Sequence, residues 1–225
     1  MTRPLYRPSP IYPRWLVDDG SLRIRFIGRG PAAERAGVLR AIGEREPRSV
    51  SWLRQVHGAR VVDATPGFSG EADALGTART GLALAVSTAD CVPVVVATGD
   101  RVALAHAGWR GLVAGVLASL APTLGEGGRA WIGPSIGACC YEIDDEVAEK
   151  LIAVSRATVV RPAPGPRPHV DLQAVAAAQL TALGIDIRGR VEVCTRCHGD
   201  LLFSYRREGR RAGRNLTFAW RTARA

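Results

Sequence analysis

Residues Gly81–Gly111 read GLALAVSTADCVPVVVATGDRVALAHAGWRG. Two apolar runs rich in β-branched residues are followed by a turn into a helix, the pattern of buried strands bounded by Gly and Asp. Cys91 sits inside the first run and His106 closes the second. A third reactive side chain, His57 in WLRQVHG, ends another strand-like segment upstream. Two imidazoles and one thiol, each at a strand edge, suit a zinc ion with one coordination position left open. Each residue also has a plainer reading. A Cys in an apolar run packs as a small hydrophobe, and a lone His simply hydrogen-bonds. Spacing alone leaves both readings standing. If the first run is one continuous strand, Asp90 points to the face opposite Cys91.

Working outward, LRIRFIG (Leu22–Gly28) alternates with period two and predicts a half-buried strand. Ala32–Gly43 predicts a short helix stopped by glycine. Ser49–His57 and Ala59–Ala64 predict two strands across a tight turn at Gly58, and Thr65–Thr80 a small-residue loop. Gly108–Gly125 predicts a helix with Leu112, Val116, Leu117 and Leu120 on one face. Arg129–Gly137 reads as a strand and a Gly-Pro turn, and Asp144 as the N-cap of a helix through Val154. Arg161–Val170 is a proline-rich loop. A third helix spans Asp171–Gly184, capped by Asp171, and Arg190–Cys194 is a strand. The segment from Cys194 to Asn215 reads as loops around one short strand. Adjacent strands without intervening helices indicate an α+β fold of mixed sheets. No repeat or linker divides the chain, so residues 1–225 form one domain, with residues 1–20 a proline-rich, extended N-terminal arm.

An apolar fraction of 47% and a charged fraction of 23% are those of an ordinary globular protein. The net charge of +9 is almost all arginine, because Lys150 is the only lysine. Guanidinium forks suit phosphate and carboxylate, but these form no aromatic-interleaved stripe and match no nucleic-acid module, so nucleic acid is not an expected partner. The longest apolar stretch, Gly81–Thr98, is broken by Thr88, Asp90 and Pro93, which argues against a membrane span. The N-terminus lacks the apolar core of a signal peptide. A cytoplasmic location follows as the expectation, with the five cysteines as thiols or metal ligands rather than disulfides. Nothing in the composition bears on the oligomeric state.

The motifs QVHG, ADALGT, STADCVPV, AHAGWRG, IGPSIGACCYE and the closing CT…FSYRR…GRN, spread from about Arg29 to Arg214, together resemble the YfiH-like, or laccase-domain, family. The resemblance implies a four-layer α/β/β/α sandwich of mixed sheets. It implies zinc held by His57, Cys91 and His106. It also implies zinc-dependent phosphorolysis of adenosine, inosine, guanosine and methylthioadenosine, with some adenosine deamination, so that purine nucleosides and phosphate are the expected partners. Zinc-activated water attacking C6 of adenine is compatible chemistry for the deamination. Phosphorolysis needs a phosphate site, for which the helix start at GWRG with Arg110 is a candidate, as is Arg206; Arg29 and Ser204 are further candidates for substrate binding. Trp109 is a candidate for stacking on a base or for the core. In FSYRR, period-two spacing puts Ser204 and Arg206 on one strand face. The chain departs from the family pattern near Arg29, where a Gly-Gly-Val-Ser element and most of a loop are missing and Glu34 replaces Asn; Ala177 replaces another Asn.

Two rival readings accompany this one. Copper fits a Cys/His₂ site and polyphenol oxidation fits the family's older name, but a laccase needs several coppers and many histidines, and the chain has four, at 57, 106, 169 and 198. The other rival is a non-catalytic member in which zinc only stabilises the fold. Cys194-Thr-Arg-Cys197-His198 spells a haem-attachment pattern, for which the chain has no export signal. A second metal site from Cys194, Cys197 and His198 lacks a fourth ligand in the sequence, and Cys139 and Cys140 read as structural thiols.

Overall fold

The apolar run of the central stretch is two strands rather than one. Leu82–Thr88 and Val92–Thr98 belong to different sheets, and the chain passes from one to the other at Ala89–Cys91. Asp90 adopts φ +96°, a left-handed conformation that costs a non-glycine residue energy and reverses the chain within three residues. The side chain of Asp90 therefore does not follow strand alternation.

The computed structural model describes residues 4–8, 11–31, 33–120, 127–155, 159–161 and 165–223. In chain order the strands are β1 (Leu5–Arg7), β2 (Arg14–Asp19), β3 (Leu22–Ile27), β4 (Ser49–Arg54), β5 (Val61–Asp63), β6 (Gly67–Glu71), β7 (Ala74–Thr77), β8 (Leu82–Thr88), β9 (Val92–Thr98), β10 (Arg101–Ala107), β11 (Gly128–Ile132), β12 (Val160–Arg161), β13 (His169–Val170), β14 (Ile185–Arg190) and β15 (Asn215–Arg221). The helices are α1 (Arg35–Ala41), α2 (Trp109–Val113), α3 (Asp145–Ser155), α4 (Leu172–Ala182) and α5 (Tyr205–Glu208). One mixed sheet runs β1-β2-β3-β15-β8-β4-β6 and the other β14-β11-β9-β10-β7-β5.

Strand alternation builds three apolar layers. Leu84 and Val86 of β8 meet Val95 and Ala97 of β9, with Ile24, Phe26, Leu104 and Trp131, between the two sheets. Ala83 and Ala85 point outward under Val38 and Leu39 of α1, beside Phe218 and Trp220. Val94 and Val96 point outward the other way, under Leu112, Leu151, Val175 and Leu180 of α2, α3 and α4. The order is thus α/β/β/α. Because β9 is covered on both faces, all seven of its residues are buried and its sequence is continuously apolar.

Several expectations are corrected. The residues 4–19 of the arm include β1 and β2, and β2 pairs along its whole length with β3 and buries Trp15 and Val17. β4 and β5 are not a hairpin: each pairs in parallel in a different sheet, β4 with β8 and β5 with β7. The small-residue loop at 65–80 contains β6 and β7, which those parallel partners recruit. The helix expected over 108–125 stops at Val113; Gly115 turns at φ +83°, a 3₁₀ turn covers Ala118–Leu120, and residues 121–125 lie outside the described residues. Leu112, Val116, Leu117 and Leu120 are nonetheless all buried. β14 ends at Arg190, where the expected strand was to begin. The last strand, β15, is seven residues long and lies between β3 and β8. Asp171 caps α4 as expected, accepting from Ala174 N at 2.9 Å, and Gly184 at φ +70° follows its end. Among the described residues no helix is long and apolar enough to cross a membrane.

Candidate metal centre

The switch between sheets brings three chain segments to one point. Cys91 lies in the β8–β9 break, His106 near the end of β10, and His57 in the turn after β4. Their ligand atoms all lie within 4.8 Å of one another. The two imidazole rings meet edge-on with centroids 4.8 Å apart. Gly108 makes this approach possible, since a Cβ there would sit 2.9 Å from Cys91 Sγ and 3.3 Å from His57 Cδ2. His106 is buried, Cys91 half-buried and His57 exposed, so the set opens to one side.

Asp73, immediately before β7, organises all of this and is absent from the sequence-derived candidates. It is completely buried, and its carboxylate accepts from His57 N at 2.9 Å, Gly58 N at 2.6 Å and Val56 N at 3.2 Å. These bonds hold His57 in its left-handed conformation, φ +62°. Asp73 Oδ1 also lies 2.8 Å from His106 Nδ1, while its backbone oxygen accepts from His106 N at 2.7 Å. A carboxylate at Nδ1 holds the ring proton there and leaves Nε2 as the donor atom, the usual support of a metal-binding histidine. Gln55 fastens the same turn to the end of β8, donating to Ser87 O at 2.7 Å and accepting from Ser87 N at 2.8 Å.

Charge follows from these contacts. Burial disfavours the Cys91 thiolate, but hydrogen bonds and charge from His106 and His57 outweigh it and bring the thiol down to about 6. Burial likewise opposes a charged His106, yet Asp73 and Cys91 raise it to about 9. For Asp73 the bonds from His106, Gly58 and His57 overcome burial and lower its pKa. A thiolate and a carboxylate buried beside two imidazoles form a donor set that a soft divalent cation fits and neutralises.

The triad forms part of the wall of a cleft of about 680 Å³. Trp109, Arg110 and Arg206 line it, as do Arg35, Gln55, Tyr141 and Arg214. Arg206 lies over the Tyr141 ring at 5.2 Å and Arg110 over Trp109 at 4.7 Å. Burial, with the Cys91 charge, pushes the Tyr141 hydroxyl up to about 12, so it stays a neutral donor. Arg29 and Ser204 are not among the lining residues. Arg29 pairs with Glu208 and stacks on Phe203 at 4.2 Å. Ser204 is not on a strand face with Arg206; it is fully buried and caps α5, accepting from Arg207 N at 3.3 Å. Asp90 ties the far wall, accepting from Thr195 Oγ1 at 2.5 Å and Arg206 N at 2.7 Å. Asp73 lies in the ADALGT motif and Arg214 in the closing GRN, but nothing local gives either a role, since the partner of Asp73, His106, is 33 residues away; Arg35 carries no signal beyond being one of many arginines.

Comparison with known proteins agrees with this architecture. A purine nucleoside phosphorylase of Streptomyces coelicolor is 42% identical over 209 residues, covering 86% of this chain and 85% of that protein. A protein named adenosine deaminase, from an unknown prokaryotic organism, is 34% identical over 193 residues, covering 75% of this chain and 73% of its own length. The crystal structure of a Neisseria meningitidis protein of the DUF152 family superposes with a TM-score of 0.81 at 26% identity, over 98% of this chain and 100% of that one. The model of the family described as multi-copper polyphenol oxidoreductase laccase matches residues 32–222. With its two-sheet sandwich and that match along most of its length, the chain belongs to this family, the YfiH-like proteins.

Proposed function

We propose that this protein is a zinc-dependent purine nucleoside phosphorylase with adenosine deamination as a side activity. Its substrates would be adenosine, inosine, guanosine and methylthioadenosine, each split by phosphate into free base and ribose 1-phosphate. The observation that carries the reading is one cleft in which His57, Cys91 and His106 stand among four arginines, Arg35, Arg110, Arg206 and Arg214. Its volume suits a nucleoside and an anion together. The names of the two relatives point to the same substrate class.

Zinc, when held by His57, Cys91 and His106, supplies Lewis acidity to an oxygen ligand. The chain's own residues do the rest. Asp73 holds one His106 proton on Nδ1, so Nε2 is the nitrogen that would give up its proton to face the metal. The guanidinium groups bind phosphate through paired N–H donors and align it for attack on C1′ as the bond to the base nitrogen breaks. Trp109 offers a flat face for a purine, and the Tyr141 hydroxyl a neutral donor. Arg29 and Ser204 take no part beyond holding α5 in place.

Incubation with adenosine and phosphate, followed by chromatography, is expected to yield adenine and ribose 1-phosphate, and Cys91→Ala is expected to abolish both. Zinc-loaded protein that releases no product from any purine nucleoside overturns the enzyme reading and leaves the non-catalytic one. The family's description favours copper-dependent polyphenol oxidation as a second reading. Among the described residues only His57 and His106 of the four histidines join a group able to hold a metal, too few imidazoles for a multi-copper centre. Stoichiometric copper in protein purified without added metal, with oxidation of a phenol, would revive it.

A further inference from the structure

Four of the five cysteines lie outside the cleft and converge on one another. The turn after β11 carries Cys139 and Cys140, and the turn between β14 and α5 carries Cys194 and Cys197. A bridge between Ser135 and Cys194 joins the two turns, with Thr195 N donating to Ser135 O at 3.0 Å. All four sulfurs lie within 4.8 Å of one another. Cys140 and Cys197 are 3.4 Å apart, and Cys139 and Cys197 3.7 Å. A disulfide needs about 2.0 Å, so these are not bonded pairs. Four sulfurs at about 2.3 Å from a tetrahedral metal stand about 3.8 Å apart, close to the 3.4 and 3.7 Å of these two pairs and within the 4.8 Å that bounds the whole group.

A second observation is independent of that spacing. Gly137 N donates to Cys194 Sγ at 3.2 Å, and Cys194 and Cys197 are spaced as Cys-x-x-Cys. A neutral thiol is a weak acceptor. A backbone donor aimed at this sulfur from the facing turn matches a charged thiolate, as in a metal-bound Cys-x-x-Cys turn. Gly137 is the residue that allows it, for a Cβ there would lie 3.2 Å from both Cys139 Sγ and Cys194 Cβ.

We propose that Cys139, Cys140, Cys194 and Cys197 form a second metal site, a tetrathiolate centre for zinc, separate from the set in the cleft. Four protein ligands leave no open position, so the site is structural. His198 stands beside it in sequence and is not part of the group. On binding, each thiol still protonated gives its proton to solvent. The metal would clamp two turns that shape the cleft. Tyr141, which follows Cys140, lines it, and Thr195, which follows Cys194, donates to Asp90 beside Cys91.

The test is metal analysis of the full chain purified under a thiol reductant, with native mass spectrometry. Two zinc ions per chain are expected, falling to one in Cys197→Ser and to one, at the other site, in Cys91→Ser. One ion per chain in the parent, unchanged by Cys197→Ser, overturns the proposal, as does a parent mass short of hydrogens from disulfides among the four. Should Cys197→Ser fail to fold, alkylation mapping of the parent decides. Zinc is expected to protect the four cysteines together by tenfold or more. Equal alkylation of Cys139 and Cys197 with and without zinc overturns the proposal without reference to any activity.

Discussion

At the scale of single residues, Asp73 does more than any side chain that faces the cleft. It fixes the position of one imidazole through the backbone and the proton of the other through its ring. Replacing it by Asn keeps the shape but removes the charge and one acceptor, and zinc affinity measured by competition with a chromophoric chelator is expected to fall 10–100-fold. Gly108→Ala attacks the same set sterically. Its methyl would lie 2.9 Å from Cys91 Sγ, so metal occupancy should drop while the far-ultraviolet circular dichroism stays that of the parent. Glu208 allows a pH prediction. Burial opposes its charge, but Arg207 and Arg29 outweigh it and lower its pKa. A carboxyl depressed in the folded state stabilises above its unfolded pKa of about 4.3 and loses that contribution as pH falls through the folded value. Melting of the parent and Glu208→Gln should therefore differ at pH 6 and converge as the pH falls through the depressed folded value. The convergence of His57, Cys91 and His106 into one candidate metal set was legible because each sits in a distinctive motif. Asp73 was not, although it lies in ADALGT, because nothing in that motif tells a buried acceptor for four donors from a loop aspartate.

At the scale of elements, the decisive piece is the three-residue break between β8 and β9. Read as a string it is the middle of an apolar run, and only the partners of Asp90 show why the chain turns there. Asp90→Ala would leave the buried Thr195 hydroxyl and the Arg206 N–H without their acceptor, and an expected loss of about 1–3 kcal/mol is readable in a urea titration. Leu84→Ala, in β8 six residues before Asp90 and fully buried between the sheets, is expected to cost about 2–5 kcal/mol. The comparison separates a fault in the turn from a cavity in the core, since only the first should also loosen the metal. Strands with continuous or alternating apolar residues, β3, β8 and β10, were readable from periodicity. β6 and β7 were not: their residues are small, and they are strands because β4, β7's partner β5 and β10 offer free edges. The helix over 108–125 failed for a matching reason, its apolar spacing being right while Gly115 permits a turn the pattern does not see.

At the scale of the molecule, the layer order follows from which face each strand buries, and the family motifs carried that order before any single strand did. The N-terminal segment shows the limit of composition, since its prolines suggested an arm where β2 closes the edge of β3. Replacing Leu5–Arg7 of β1, whose side chains are all exposed, by Gly-Ser-Gly is expected to shift melting by a few degrees; a deletion that takes β2 away uncovers Ile24 and Phe26 and is expected to give insoluble protein. The ligands in the cleft come from segments that belong to both sheets: His57 follows β4 of one, His106 closes β10 of the other, and Cys91 stands on the strand pair that joins them. No partly unfolded form that separates the sheets can keep all three. With a metal bound as proposed, binding and closure of the sandwich would be one linked equilibrium, in which each tenfold rise in free metal above its dissociation constant adds about 1.4 kcal/mol to the folded state. Chelation, on this account, acts as a mild denaturant of the whole sandwich.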